Sequence, residues 1–275
     1  MTATGGTPGN NDGWRNVPFP RVYRANAIVL RRINLAETDK IVTFLTREVG
    51  KVSAVAKGSR RPTSRLAGAT ELFGYCRVLF AAGMNLDVVT QVEVREAFPA
   101  LRTSLHKIAA ASYMAELTDH LTEERHPHAD IFDLLLAGLY VLNALDEPDL
   151  IVTAFTLHMM AASGYTPSLA VCARCHAKGT EFTAFSPTMG GVICPNCRTS
   201  VRDAFNVCRE AIEAARDMLA SEMPHASRIA ATGQTRTHLL RMVRTFLAYH
   251  TDRPLKSAKF LDELLAARVL SDAEA

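Results

Sequence analysis

Tyr23-Arg24-Ala25-Asn26-Ala27-Ile28-Val29-Leu30-Arg31-Arg32 opens the stretch on which the fold turns. It reads as a strand, and further β-type segments follow closely. Ile41-Val42-Thr43-Phe44-Leu45-Thr46 has the β-branched and aromatic content of a buried strand. Gly50 supplies a turn, and Lys51-Val52-Ser53-Ala54-Val55-Ala56-Lys57 alternates between apolar and polar positions. Gly58 opens a polar loop, and residues 72–80 and 86–94 read as two more strands joined near Gly83. Five short strands with a loop between the third and the fourth predict a small closed barrel. The OB-fold is the five-stranded member of that set. An SH3-like barrel is the alternative that the pattern leaves open.

From Pro99 the texture becomes helical. Leu101, Leu105 and Ile108 lie at helical spacing, and Met114, Leu117 and Leu121 continue the stripe. Asp130 is placed to cap a second helix running to about Leu145, and Pro148 and Asp149 open a third that stops near Gly164. Asp203 is placed to cap a further helix, with Phe205, Cys208, Ile212, Ala215 and Leu219 on one face and Pro224 at its end. Arg236 to His250 and Ser257 to Val269 give the last two helices. The expected class is α+β: a barrel domain over residues 21–98, then an all-α domain over 99–275. Residues 1–20 are rich in Gly, Asn, Thr and Pro and lack the apolar stretch of a signal peptide, which predicts a disordered tail. The apolar run from Ile131 to Leu145, interrupted by Asp133, is too short to span a membrane and reads as a buried helix.

Inserted between the helices are Cys172-Ala173-Arg174-Cys175 and Cys194-Pro195-Asn196-Cys197, separated by 18 residues. Two C-x-x-C knuckles at this distance are the spacing of a tetrahedral zinc site, with the intervening residues free to run out and back as a hairpin. Four thiolates close the coordination sphere, so the site over residues 171–198 is structural and holds one ion. Two redox pairs, or four unrelated core thiols, would not account for the repeated spacing. Six cysteines without an export signal imply reduced thiols and a cytoplasmic setting. Cys76 and Cys208 sit in apolar patterns as inert buried thiols.

Net charge is +3, but it is strongly segregated. Residues 21–100 hold 13 Lys/Arg against 7 Asp/Glu, residues 101–160 hold 3 against 9, and residues 228–259 hold 7 against 1. Two basic regions therefore flank an acidic one. The loop Lys57-Gly58-Ser59-Arg60-Arg61-Pro62-Thr63-Ser64-Arg65 carries four cations and no acid. Arginine forks match phosphate geometry, Gly58 permits close backbone approach, and Ser59 and Ser64 could donate to phosphate oxygens. Lys51 extends the positive stretch along the preceding strand. Small barrels bind single strands by a basic groove with aromatic platforms. Phe44, Phe73 and Tyr75 are the aromatic candidates, although core packing is the plainer role for each. In the second basic region Arg241 and Arg244 share a helix face, and Arg253, Lys256 and Lys259 continue the run. These side chains suit an acidic partner or a second DNA surface.

Enzymatic constellations are hard to build from the remainder. No His-x-Glu occurs, Pro195 lies inside its cysteine pair, and H-E-x-x-H, a Walker loop and G-x-S-x-G are all missing. His126-Pro127-His128 is the one histidine cluster, in an acidic interhelical loop. Glu37 and Asp39 lie in a strand-to-strand turn, where fixing the turn or pairing with Lys40 suits them better than acid–base work. Besides nucleic-acid binding, a protein–protein scaffold is the second reading, and a metal-dependent hydrolase would need an open coordination site.

Several motifs, taken in order, are similar to one family. Ala27-Ile28-Val29-Leu30-Arg31-Arg32, Glu37-Thr38-Asp39-Lys40-Ile41-Val42, Thr46-Arg47-Glu48-Val49-Gly50-Lys51 and Ala56-Lys57-Gly58-Ser59-Arg60-Arg61 resemble the N-terminal domain of RecO recombination mediators. Ser186-Pro187-Thr188-Met189-Gly190-Gly191-Val192 ahead of Cys194, and Leu255-Lys256-Ser257, resemble the same family. The resemblance spans about residues 23–267. It implies an OB-fold followed by a helical domain with a zinc module. It also implies binding of single- and double-stranded DNA, annealing of complementary strands, and help in loading RecA onto DNA coated by the single-stranded-DNA-binding protein SSB. RecR and SSB are the implied protein partners, in a cytoplasmic, nucleoid-associated setting. No small-molecule substrate, membrane association or enzymatic activity is implied.

Overall fold

The computed structural model describes residues 20–35, 37–61, 64–179 and 181–273, with the side chains of residue 65 and residues 266–273 outside the description. All but the last position of the expected N-terminal tail therefore lies outside the described residues, as do positions 62 and 63 of the cation loop.

Strands β1 (Val22–Asn34), β2 (Lys40–Thr46), β3 (Gly50–Ala56), β4 (Tyr75–Ala81) and β5 (Asp87–Glu96) close into a barrel in the order β1-β2-β3-β5-β4. Neighbours are antiparallel except β3 and β5, which pair in parallel through Ala54–Asp87 and Val55–Val88. Alternation puts Val52, Ala54 and Ala56 of β3 inside with Tyr23, Ala25, Ala27, Val29, Phe44 and Phe80. Small residues on β1 and β3 leave room for the Phe44 and Phe80 rings, which meet edge-on at 5.4 Å. The fourth and fifth strands begin later than the sequence pattern suggests. Residues 72–74 instead form the turn that enters β4, with Phe73 at φ 68° and Gly74 donating to the Glu71 carbonyl.

β1 departs from simple alternation where it matters most. Its register against β2 shifts between Val29 and Arg31, a bulge that lets Ile28, Val29 and Leu30 all be buried. Val29 faces the barrel, whereas Ile28 and Leu30 join Leu45 and Phe73 in the core of the helical half. The uninterrupted apolar run Ala27–Leu30 thus marks a strand covered on both faces.

A 3₁₀ turn at Pro99–Arg102 leads into the helical half. There α2 (Leu105–Leu121), α3 (Ala129–Ala144), α4 (Pro148–Ala162), α6 (Arg209–Ala220), α7 (Met223–Ala226), α8 (Gly233–His250) and α9 (Lys256–Ala273) follow a short α1 (Arg65–Ala69) between β3 and β4. Helix α4 is buried along nearly its whole length and forms the hub. It starts on Pro148, which supplies no donor where none is needed, and stops at Gly164 with φ +87°. The inserted module contains β6 (Ala184–Ser186), β7 (Gly191–Ile193), the one-turn α5 (Pro195–Arg198) and β8 (Phe205–Asn206), in the sheet order β7-β6-β8.

Several helix boundaries differ from the sequence reading, including α8, which begins at Gly233 and not at Arg236, and α9, which runs over Lys256–Ala273 and not Ser257–Val269. Asp130 sits in the first turn of α3, with His128 at the cap position. Asp203 does not cap α6, which begins after Cys208; its carboxylate accepts instead from Ser186 Oγ at 2.8 Å and Thr188 N at 3.0 Å, pinning the β6–β7 turn. Pro224 does not end α6, which stops at Ala220; it opens α7.

Candidate nucleic-acid interface and thiol centre

Charge segregation in the chain has a spatial counterpart. Arg47 of the barrel forms a two-pronged pair with Asp133 of α3, both contacts at 2.9 Å. Lys51 Nζ reaches Asp119 Oδ1 at 3.0 Å and the Asp119 carbonyl at 2.6 Å, and Ser53 Oγ donates to Glu124 at 2.9 Å. Arg125 returns the exchange by binding Asp87 Oδ1 at 2.7 Å, where the fully buried Asp87 also accepts from Tyr23. Burial and then the hydrogen bond to Asp87 raise the Tyr23 phenol well above its usual range. The acidic region thus neutralises the flank of the barrel it covers. Lys51, expected to extend the basic loop, has a side chain only 13% exposed and committed to Asp119. Nothing in the local sequence around Lys51 announces a partner 68 residues away.

The cation loop lies elsewhere on the barrel. Lys57, Arg60 and Arg61 are exposed, and neither Lys57 nor Arg61 makes an ion pair among the described residues. Gly58, at φ +65°, turns the chain so that its N–H donates to Asp39 Oδ1 at 2.8 Å. Thr38 Oγ1 donates to the same oxygen at 2.9 Å, and Arg60 N donates to the Thr38 carbonyl at 3.0 Å. The β1–β2 turn therefore braces the loop backbone. Hydrogen bonds from Gly58 and Thr38, and then the Lys57 and Arg61 charges, hold the Asp39 carboxyl below its usual range. Asp39 does fix turn geometry, but through Gly58 rather than Lys40, whose ammonium lies 3.9 Å from Glu71.

Neither serine of the loop is placed as expected, and the buried Ser59 Oγ has no hydrogen-bond partner among the described residues. Ser64 Oγ accepts from Leu66 N at 3.2 Å as the cap of α1, and Ser59 is buried. The aromatic candidates are not stacking platforms: Phe44 and Phe73 are core residues, and Tyr75 packs edge-on against Phe132 with its hydroxyl directed to Asn26. What this surface offers to a nucleic acid is positive charge on a braced backbone.

Loss of the Asp39 carboxylate is expected to weaken DNA binding even though a negative charge leaves the site. Asp39→Ala should lower affinity roughly fivefold through lost order in the loop, as measured by fluorescence anisotropy. An increased affinity would show that Asp39 acts only as an opposing charge. Because the carboxyl is depressed, its tie holds above the usual carboxylate range and is released only as pH falls through the lowered value.

The second basic region is divided among neighbours. Arg236 is spent on Asp149 and Glu147. Arg241 lies over the Phe205 ring at 4.2 Å, whereas Arg244 turns to Asp262 at 2.5 Å. Lys259 lies 3.9 Å from Glu263. Helical spacing places Arg241 and Arg244 side by side, yet one serves the module and the other α9.

Cys172, Cys175, Cys194 and Cys197 converge as expected, with all four Sγ atoms within 4.8 Å of one another. Cys175 and Cys194 Sγ are 3.7 Å apart, close to the edge of about 3.8 Å in a regular tetrahedron of sulfurs placed about 2.3 Å from a central ion. Burial opposes charge on Cys172, but the N–H groups of Cys175, Cys194 and Arg174 outweigh it and bring that thiol to about 6. Hydrogen bonding to Cys194, then burial, pushes Cys197 up to about 12. Four thiols this close cannot all ionise unaided, and a bound dication would remove that conflict. Cys76 is a buried thiol pushed up to about 12 by desolvation, as an inert core position requires. Cys208 is only partly buried, and its N–H donates to His238 Nδ1 at 2.9 Å.

A basic-looped barrel docked on a helical half with a four-thiol centre makes this a two-part protein of the binding type. The family model "Recombination protein O N terminal" matches residues 21–98, and "Recombination protein O C terminal" matches residues 102–259. The chain is 37% identical over 251 residues to the DNA repair protein RecO of Symbiobacterium thermophilum, covering 90% of this chain and 99% of that protein. It is 39% identical over 245 residues to the DNA repair protein RecO of Roseiflexus sp., covering 89% and 86%. With the DNA repair protein RecO of Pelotomaculum thermopropionicum it shares 37% over 242 residues, covering 88% and 94%. The chain belongs to the recombination protein O family and is a non-catalytic DNA repair and recombination mediator. Among the described residues no helix is long and apolar enough to cross a membrane.

Proposed function

We propose that the chain captures single- and double-stranded DNA electrostatically and promotes pairing of complementary strands. With RecR it would help load RecA onto SSB-coated DNA, in the cytoplasm and on the nucleoid. In this reading the barrel is an OB-fold domain over residues 21–98, and Lys57, Arg60, Arg61 and Arg65 hold phosphates. The helical domain runs over residues 99–275, and its module at 171–198 binds one structural zinc through Cys172, Cys175, Cys194 and Cys197. Arg241, Arg244, Lys256 and Lys259 belong to a partner surface, with Arg241 and Arg244 as the place for an SSB tail. Family membership supports the partners, and the strand order β1-β2-β3-β5-β4 supports the barrel type. One observation carries the DNA reading: barrel cations facing the helices are paired with acids, whereas Lys57 and Arg61 on the braced loop have no ion pair among the described residues.

Four loop cations imply a definite salt response. Log K should fall with log salt at a slope of about −2.8 for single strands and about −3.6 for duplex, as measured by titration at several salt concentrations. Arg60→Ala with Arg61→Ala should reduce the slope by about half and weaken unrelated sequences alike. A salt-independent affinity, or loss confined to one sequence, would refute charge capture.

A further inference from the structure

The four-thiol centre is buried on one side and open on the other. Cys172 is fully buried and Cys197 nearly so, whereas Cys194 is half-buried and Cys175 is exposed. The two outer sulfurs belong to different knuckles and lie 3.7 Å apart. Cys172 is held further back, since its Sγ accepts from Cys194 N at 3.4 Å. The surface around the outer edge is basic. Arg174, His176 and Lys178 are exposed, and none of them makes an ion pair among the described residues. An exposed thiol among cations is the setting in which cysteines react with oxidants, whereas buried thiols in apolar surroundings are inert.

We propose that this outer edge is a peroxide-oxidation site, at which Cys175 and Cys194 join as a disulfide and the centre gives up its ion. The inference rests on the zinc reading of the module and extends it. The Cys175 sulfur attacks one oxygen of hydrogen peroxide, the O–O bond breaks, and the departing hydroxide takes a proton to become water. The Cys194 sulfur then attacks the Cys175 sulfenic acid, the S–O bond breaks, and a second water leaves. Two thiolates and two protons are consumed with the peroxide, which is reduced by two electrons as the sulfurs are oxidised. Two of the four ligands are thereby withdrawn from the ion. The effect reaches α8, because Phe185 of β6 packs edge-on against Phe246 and Arg241 lies over the Phe205 ring of β8. The cation loop stands on the barrel and is untouched. Oxidation therefore loosens the Arg241 face while DNA capture is spared.

Hydrogen peroxide added to the reduced, zinc-loaded full chain tests this, with release followed by a chromogenic chelator and disulfides mapped by peptide mass. About one zinc per chain should be released, with Cys175–Cys194 as the main disulfide. Melting should fall by on the order of 10 °C. Hydrogen exchange should quicken over residues 184–206 and around Arg241, and DNA affinity should stay within about twofold. Dithiothreitol with added zinc should restore the starting state. Arg174→Gln with Lys178→Gln keeps all four thiols and should slow release at least about threefold. Retained zinc, a main disulfide within either knuckle, unchanged melting after oxidation, or unslowed release in the glutamine variant overturns the proposal. If the reduced chain binds no zinc yet peroxide still joins Cys175 to Cys194, the zinc reading fails and the oxidation site stands.

Discussion

Cys172→Ser is expected to strip the thiol centre of metal and to unfold the helical half well below the wild-type melting temperature. Cys172 is fully buried, its Sγ accepts from Cys194 N at 3.4 Å, and its own N–H donates to the Ala177 carbonyl, so it ties the two knuckles together. The thiols share this task with a small core in which Phe185 and Val192 are fully buried and Phe185 packs edge-on against Phe246 of α8. The module's strands are two or three residues long, and it is stitched to the segment before it by Ser168 N to Gly190 O and Val192 N to Ser168 O, each at 2.8 Å. Apparent structural-zinc affinities in small finger peptides are about 10–16 kcal/mol, so weakening one of four bonds should lower melting by on the order of 10 °C. Metal analysis should give one ion per chain in the wild type and much less in the variant, and cobalt substitution should give the spectrum of four sulfur ligands. DNA affinity, measured below the variant's transition, should change less than about twofold because the cation loop lies on the barrel. Unchanged metal content and melting would refute a metal centre. Intact folding with lost DNA binding would make the module a contact surface.

Gly50→Ala is the second substitution with a large expected cost, and it acts at the junction of the two halves. Gly50 has φ +82°, and an added Cβ would lie 2.1 Å from the His126 carbonyl oxygen and 2.4 Å from its carbon. Those are backbone atoms, so the segment carrying Arg125 and His126 must move. That segment is tied down by Arg125 N donating to the Lys51 carbonyl at 2.9 Å and by the Arg125–Asp87 pair. Moving it leaves the fully buried Asp87 without its cation. Left-handed strain of about 1–2 kcal/mol, added to the cost of exposing part of a buried pair, predicts destabilisation of about 3–5 kcal/mol. Thermal unfolding should show a drop of roughly 10 °C. Gly68, in α1 with nothing within 4 Å of a built Cβ, is the control: Gly68→Ala should be neutral or slightly stabilising. Equal melting of both variants would show that the junction yields easily.

The features legible in the sequence were those encoded locally. Alternation in Lys51–Lys57 and the β-branched run Ile41–Thr46 announced strands, and the cysteine spacing announced convergent thiols. Partnerships across the chain were not legible. Lys51 and Arg61 look equally available in sequence, yet Lys51 is matched to Asp119 and Arg61 stands exposed without an ion pair among the described residues. Asp203 had the composition of a cap but is used by a hairpin turn 15 residues earlier. Arg241 and Arg244 share a face by spacing, and only the neighbours Phe205 and Asp262 separate them. The bulge after Val29 left a trace, an apolar run without alternation, which signals a strand covered on both sides.

Asp119, Glu124 and Asp133 present to one flank of the barrel the kind of fixed negative charge that a phosphate backbone would present. The helical half is in this sense a resident decoy. It saturates Lys51 and Arg47, so an incoming strand finds that flank already taken. Which side of the barrel a nucleic acid can approach is then decided by prior occupancy. The acidic middle of an otherwise basic chain works as a mask that leaves one face of the positive charge open.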